Sequence, residues 1–216
     1  MVIENDTKRG LAMESGRKGK RSQRMLFDVD RRALAAVVGE ENVHRLPAEA
    51  AERYGFAGET LRFFTEVGIP SAKDYELFFG LPAEFRSGYI WHRATEESRG
   101  WKFPEGVEAL IKFGHFPIDA VVLDPATGIV YQYTDASMEA IPVHADVSSL
   151  ARTISSFVGY AEHCTRGDDE DAEYVRRKRE VDAIHDAIRL VDPLPFAHEY
   201  SEWVELFDNL EGGIYG

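Results

Sequence analysis

Apolar residues enter this chain in two rhythms. Between positions 75 and 143 they come in short, dense runs. These are Tyr75, Leu77, Phe78 and Phe79, then Tyr89-Ile90-Trp91, Ala109 to Phe116, Ala120-Val121-Val122-Leu123, Ile129-Val130-Tyr131-Gln132-Tyr133, and Met138 to Val143. From Tyr89 onward, runs this short, rich in β-branched and aromatic residues and separated by Gly and Pro, predict strands, whereas Tyr75 to Leu81 reads only as an aromatic and apolar stretch closed by Gly80 and Pro82. Asp124-Pro125-Ala126-Thr127-Gly128 joins two of them and predicts a hairpin, with Pro early in the turn and Gly at the return. Pro142 places the last run near an edge or end of the sheet.

After Asp146, a candidate N-cap, the period changes. Val147, Leu150, Ala151, Ile154, Phe157, Val158 and Ala161 share one helical face, and Arg166-Gly167 closes the segment. A second helix opens in Asp168-Asp169-Glu170-Asp171, acids that suit the positive end of a helix dipole. It runs through Tyr174, Val181, Ile184, Ile188 and Val191 to Asp192-Pro193. A third amphipathic segment carries Trp203, Leu206, Phe207 and Leu210. Upstream, Glu59 to Val67 predicts a short helix stopped by Gly68 and Pro70. Leu34, Val37, Val38 and Gly39 lead into irregular structure as far as Pro47. Strand runs followed by helix runs predict an α+β fold, with a central antiparallel sheet, helices packed on one face and C-terminal helices.

Composition narrows the class. The 216 residues, 44% hydrophobic and 12% aromatic, suit one domain with a tail. One cysteine forms no internal disulfide and no multi-cysteine zinc site. Neither a secretion signal nor an apolar run of membrane-spanning length is present, so a cytoplasmic protein is expected.

The charge is unevenly placed. Residues 1–24 hold seven bases (Lys8, Arg9, Arg17, Lys18, Lys20, Arg21, Arg24) and three acids, and read as a basic, flexible tail. That tail is either an arm for an anionic surface, a solvated extension, or translation upstream of a start at Met13 or Met25. Residues 25–216 keep 18 bases and 35 acids, a net of −17 within the chain's −13. An acidic body disfavours direct nucleic-acid binding and favours a partner with a basic surface.

Catalytic motifs are missing. The chain has no Gly-x-Gly-x-x-Gly, P-loop, His-Glu-x-x-His or Gly-x-Ser-x-Gly pattern. His44, His92, His115, His144 and His198 are scattered singly. His163 and Cys164 are helix neighbours that point apart, so Cys164 reads as a small buried apolar residue. His185 reads as a surface position. Adjacent carboxylates such as Glu96-Glu97 and Asp168-Asp169 read as solvated surface. No enzyme activity, metal or cofactor is expected from these residues.

Gly114-His115-Phe116-Pro117-Ile118, followed by Ala120 to Tyr131, resembles the central strand pair of the SUKH superfamily, in its fourth group of bacterial immunity proteins. Arg62-Phe63-Phe64-Thr65-Glu66-Val67-Gly68-Ile69-Pro70 is similar to that group's early helix and its exit. The helix from Val147 with Phe157 falls where the group has its post-sheet helix, and Ile188 to Leu210 resembles its closing element. The resemblance covers most of residues 26 to 214. It implies an α+β fold around a central antiparallel sheet, and a role as the antidote to a bacterial polymorphic toxin, often a nuclease or nucleic-acid deaminase. It carries no catalytic motif. Asp168, Asp169, Glu170 and Asp171, the densest acidic run, are the candidate toxin-binding residues, although helix capping and solvation suit them equally. A regulatory or scaffold module of the same superfamily is the alternative, and a hydrolase using His and carboxylate groups is a third.

Overall fold

The computed structural model describes residues 24–134, 137–164 and 170–215. Asp30 caps α1 (Arg31–Val38) by accepting the Ala33 N–H, and Gly39, at φ 89°, ends it. A short apolar stripe with a good cap thus makes a helix of the stretch before Gly39. Strand β1 (Val43–His44) pairs antiparallel with β2 (Ile69–Pro70). Between them lie α2 (Ala48–Arg53) and α3 (Gly58–Arg62), the latter continuing as a π-helical turn to Val67. The expected helix over Glu59 to Val67 is therefore present, and Gly68 stops it.

The strands of the main sheet pair antiparallel, and one parallel bridge joins Lys102 to Glu139 at its far edge. The sheet contains β3 (Phe78–Phe79), β4 (Ile90–His92), β5 (Ala109–His115), β6 (Ala120–Leu123), β7 (Val130–Thr134) and β8 (Glu139–His144). Both β3 and β4 pair with the outer edge of β5, and β6, β7 and β8 follow in order. In the β6–β7 turn the Asp124 carboxylate accepts the Ala126 N–H and the Thr127 hydroxyl, and Gly128 takes φ 83°. Pro142 sits exposed on β8, an edge strand, as a missing ladder donor requires. At Gly114 a Cβ would lie 2.3 Å from the Phe79 ring and 2.6 Å from the Phe78 carbonyl oxygen, so only glycine lets β3 approach β5.

Helices cover one face. Ile111, Phe113, Val121, Leu123, Val130, Ile141 and Val143 pack into one core with α5 (Val147–His163) and α7 (Glu202–Glu211). The sequence-predicted apolar positions of both helices point inward. Helix α6 (Glu170–Arg189) adds only Val181 and Ile188 among its buried apolar side chains. The opposite face is also dry, because Leu110, Val122, Tyr131 and Tyr133 pack against Trp91, Trp101, Phe103 and Val107. Burial on both sides explains why β6 and β7 are apolar without alternation.

This second layer overturns one sequence expectation. Glu96, on α4 (Arg93–Ser98), is 4% exposed and bonded to Arg99 at 3.1 Å rather than solvated. Its helix lies over the second face, and a buried carboxylate there needs its cation. Cys164 is likewise half-buried rather than buried. It ends α5, where its thiol reaches the Tyr160 hydroxyl at 3.7 Å.

A polar tie crosses the helical core. His144 of β8 is fully buried, and its Nε2 accepts the Trp203 Nε1–H at 2.7 Å. An indole only donates, so the imidazole proton sits on Nδ1 and is donated to Ser149 Oγ at 3.0 Å. Burial holds His144 well below the ordinary histidine range, which keeps it neutral. One imidazole thus joins β8, α5 and α7.

Candidate functional site

Helix α7 buries Trp203, Leu206, Phe207 and Leu210. Glu202, Glu205, Asp208 and Glu211, three residues apart, therefore wind around its other side. Their helix ends are fixed by contacts distant in sequence. The Glu202 carboxylate accepts the backbone N–H of Ile118 at 3.2 Å and of Asp119 at 2.6 Å, both in the β5–β6 turn. Gln132, a fully buried residue of β7, donates from Nε2 to Asp119 at 2.7 Å and to the Tyr200 carbonyl at 2.8 Å. Its Oε1 accepts the Glu202 N–H at 3.0 Å. One amide thereby ties the Asp119 carboxylate to the backbone at the start of α7.

Around this network opens a pocket of about 410 Å³, lined by five carboxylates: Asp119, Glu199, Glu202, Glu205 and Asp208. No Lys, Arg or His is in its lining. Ile118, at 75% exposure, and Tyr200, at 46%, stand at the same place. An acidic surface carrying an exposed aliphatic and an exposed aromatic group suits a basic protein partner, with charge for approach and apolar anchors for lifetime.

Burial pushes the Glu202 carboxyl up to about 7, against the two backbone N–H groups that favour its charged form, and the nearby Asp119 and Glu205 charges push the same way as burial. The folded protein therefore holds a proton that the unfolded chain releases above the ordinary carboxylate range. Stability from Glu202 is lost as pH rises from about 4.5 to about 7. His144 acts oppositely, its contribution being lost as pH falls below 6.5. Substituting Glu202→Gln removes only the first effect. Denaturant unfolding of E202Q between pH 5 and 7 should show stability rising more steeply with pH than in the native chain. Identical profiles would mean that Glu202 is ionised in the fold.

Of the acidic run singled out in the sequence, Asp168 and Asp169 lie outside the described residues. Glu170 opens α6, and Asp171 is exposed in its first turn. Beyond that turn three acids of α6 pair with cations of the same helix. Arg177 bonds Glu173, Arg176 meets Glu180 at 3.0 Å, and Lys178 meets Asp182 at 3.5 Å. The Tyr174 hydroxyl donates to Glu211 at 2.9 Å, which sets the start of α6 beside the last turn of α7. The described end of the acidic run therefore adjoins the acidic side of α7. The α7 carboxylates were detectable as three-residue spacing opposite the apolar stripe. Asp119 was not, because it reaches the site from 83 residues away.

Among the described residues no three His, Cys, Asp or Glu side chains come together as a metal site. His163 contacts the Gly159 carbonyl, and Cys164 contacts Tyr160. His185 is half-buried, its ring 4.0 Å from that of Phe196, where a plain surface position was expected. No described helix is long and apolar enough to cross a membrane.

Comparisons with curated proteins and with solved structures returned no match. A family model described as SUKH-4 immunity protein matches residues 29–209. That span begins one residue ahead of the Asp30 cap and ends inside α7, so it takes in the whole main sheet and most of the acidic side of α7. Immunity against a toxin is the function this match supports. With most of its length covered, the chain belongs to the SUKH-4 immunity protein family, within the SUKH superfamily.

Proposed function

We propose that this protein neutralises a cognate polymorphic toxin, a nuclease or nucleic-acid deaminase, by seating the acidic side of α7 over the toxin's basic active face. The carrying observation is the five-carboxylate pocket beside exposed Ile118 and Tyr200, in a chain of an immunity family. Enzymes that act on nucleic acid present Lys and Arg to phosphates, and an acidic surface competes for that face. The protein acts stoichiometrically and without catalysis of its own. An interface of ordinary size, about 1,600 Å² in total, suffices. The acidic run Asp168, Asp169, Glu170 and Asp171 adds negative charge that steers the same partner. Docking of a cation beside Glu202 expels its proton, so binding tightens from pH 6 to pH 8.

The test is co-expression with a candidate toxin gene from the same locus. Growth should be rescued, and rescue should be lost when Glu205 and Asp208 are both reversed to lysine. Continued killing despite a stable complex would exclude occlusion of the active face.

A further inference from the structure

A second cavity lies away from α7 and has the opposite charge. It is a cleft of about 650 Å³ where β3 and β4 share the outer edge of β5. Lys73, Lys112, His44 and His115 line it, and its lining contains no carboxylate. In a chain of net −13, the two lysine ammonium groups of this cleft have no acid beside them in its lining, while burial and the Lys73 charge keep His44 neutral, so the local field favours an anion. Its other walls are aromatic: Phe78, Tyr89 and Trp91. Phe78 is part-exposed and stacks on His115, with ring centres 4.8 Å apart and planes 29° apart. Lys112 holds its ammonium 5.5 Å from the centre of the Trp91 ring, so the cation is already posted over an aromatic wall.

We propose that this cleft binds a nucleotide, with the planar base against the Phe78, Tyr89 and Trp91 rings and the phosphates on Lys73 and Lys112. Volume, aromatic walls and paired cations suit a small ligand that has both a flat ring and more than one negative charge. An extended acidic peptide fits less well, because it would need a free strand edge. Here β4 occupies Ala109–Ile111, β3 occupies Gly114 and His115, and the Gly80 N–H takes the Phe113 carbonyl between them. The inference is independent of the toxin-binding surface, whose lining shares no residue with this cleft.

Isothermal titration of the full chain at low salt with ADP, adenosine and pyrophosphate separates the parts. ADP should bind one per chain, with adenosine and pyrophosphate each at least about tenfold weaker. The double variant Lys73→Ala, Lys112→Ala should weaken ADP by at least about tenfold. Lys73 is exposed, so Lys73→Ala alone, expected to weaken ADP by about threefold or more, serves should the double variant unfold. No ADP binding at about 1 mM, or unchanged affinity in the folded variants, would overturn the site. Pyrophosphate binding equal to that of ADP would overturn the assignment to a nucleotide.

Discussion

Replacing Trp203 by alanine should cost about 3–5 kcal/mol of folding stability, the range for removing a large buried aromatic side chain. The ring is fully buried and meets Phe116, Phe157 and Phe207 at centroid distances of 5.2, 6.3 and 6.3 Å. It therefore joins the end of β5 to α5 and to the next turn of its own helix. Truncation also removes the indole donor to His144 Nε2, and a buried acceptor left unpaired adds about 1–3 kcal/mol within that loss. Trp203→Phe keeps much of the packing and loses the hydrogen bond, so its cost should be about 1–3 kcal/mol. Urea unfolding with an unchanged slope measures both. A loss below about 1 kcal/mol for the alanine variant would mean that α7 is not held on this core. Because α7 carries Glu202, Glu205 and Asp208, the alanine variant should also protect cells poorly.

Reversing Glu205 and Asp208 to lysine should slow association with the toxin domain by about 10- to 100-fold at low ionic strength. Both side chains are exposed, so folding stability should change little, within about 0.5 kcal/mol per site. The effect should shrink with added salt, since charges that steer an encounter are screened beyond about 10 Å at 0.1 M. Stopped-flow association at two salt concentrations provides the readout. An unchanged rate would remove α7 from the encounter surface. A large effect from Asp171→Lys alone would move that surface to the start of α6.

Much of the sheet was legible because each strand is a short run bounded by its own punctuation. Asp124 to Gly128 makes the hairpin turn, and Pro142 marks an edge strand. Helices α5 and α7 were legible because their apolar residues repeat at helical spacing on one side. The second dry face was not, since Trp101, Phe103 and Val107 come from a loop that has no period to read. For the same reason Glu96 looked like solvated surface and is a buried, paired carboxylate. Charge density along the chain drew attention to Asp168–Asp171, whereas folding gathers Asp119, Glu199, Glu202, Glu205 and Asp208 around one pocket. That gathering depends on Gln132, a polar residue inside an apolar strand, and its partners lie 13 and 70 residues away. Such an amide signals a polar network, but a linear reading does not say which groups it joins.

The central claim is stoichiometric inhibition through the acidic side of α7. Titrating the purified chain into an activity assay of the toxin domain tests it most directly. Activity should fall in a straight line to zero at one chain per toxin, and the Glu205→Lys, Asp208→Lys variant should need a large excess to reach the same point. A stable complex that leaves the toxin fully active, or equal potency of the variant, would contradict the account.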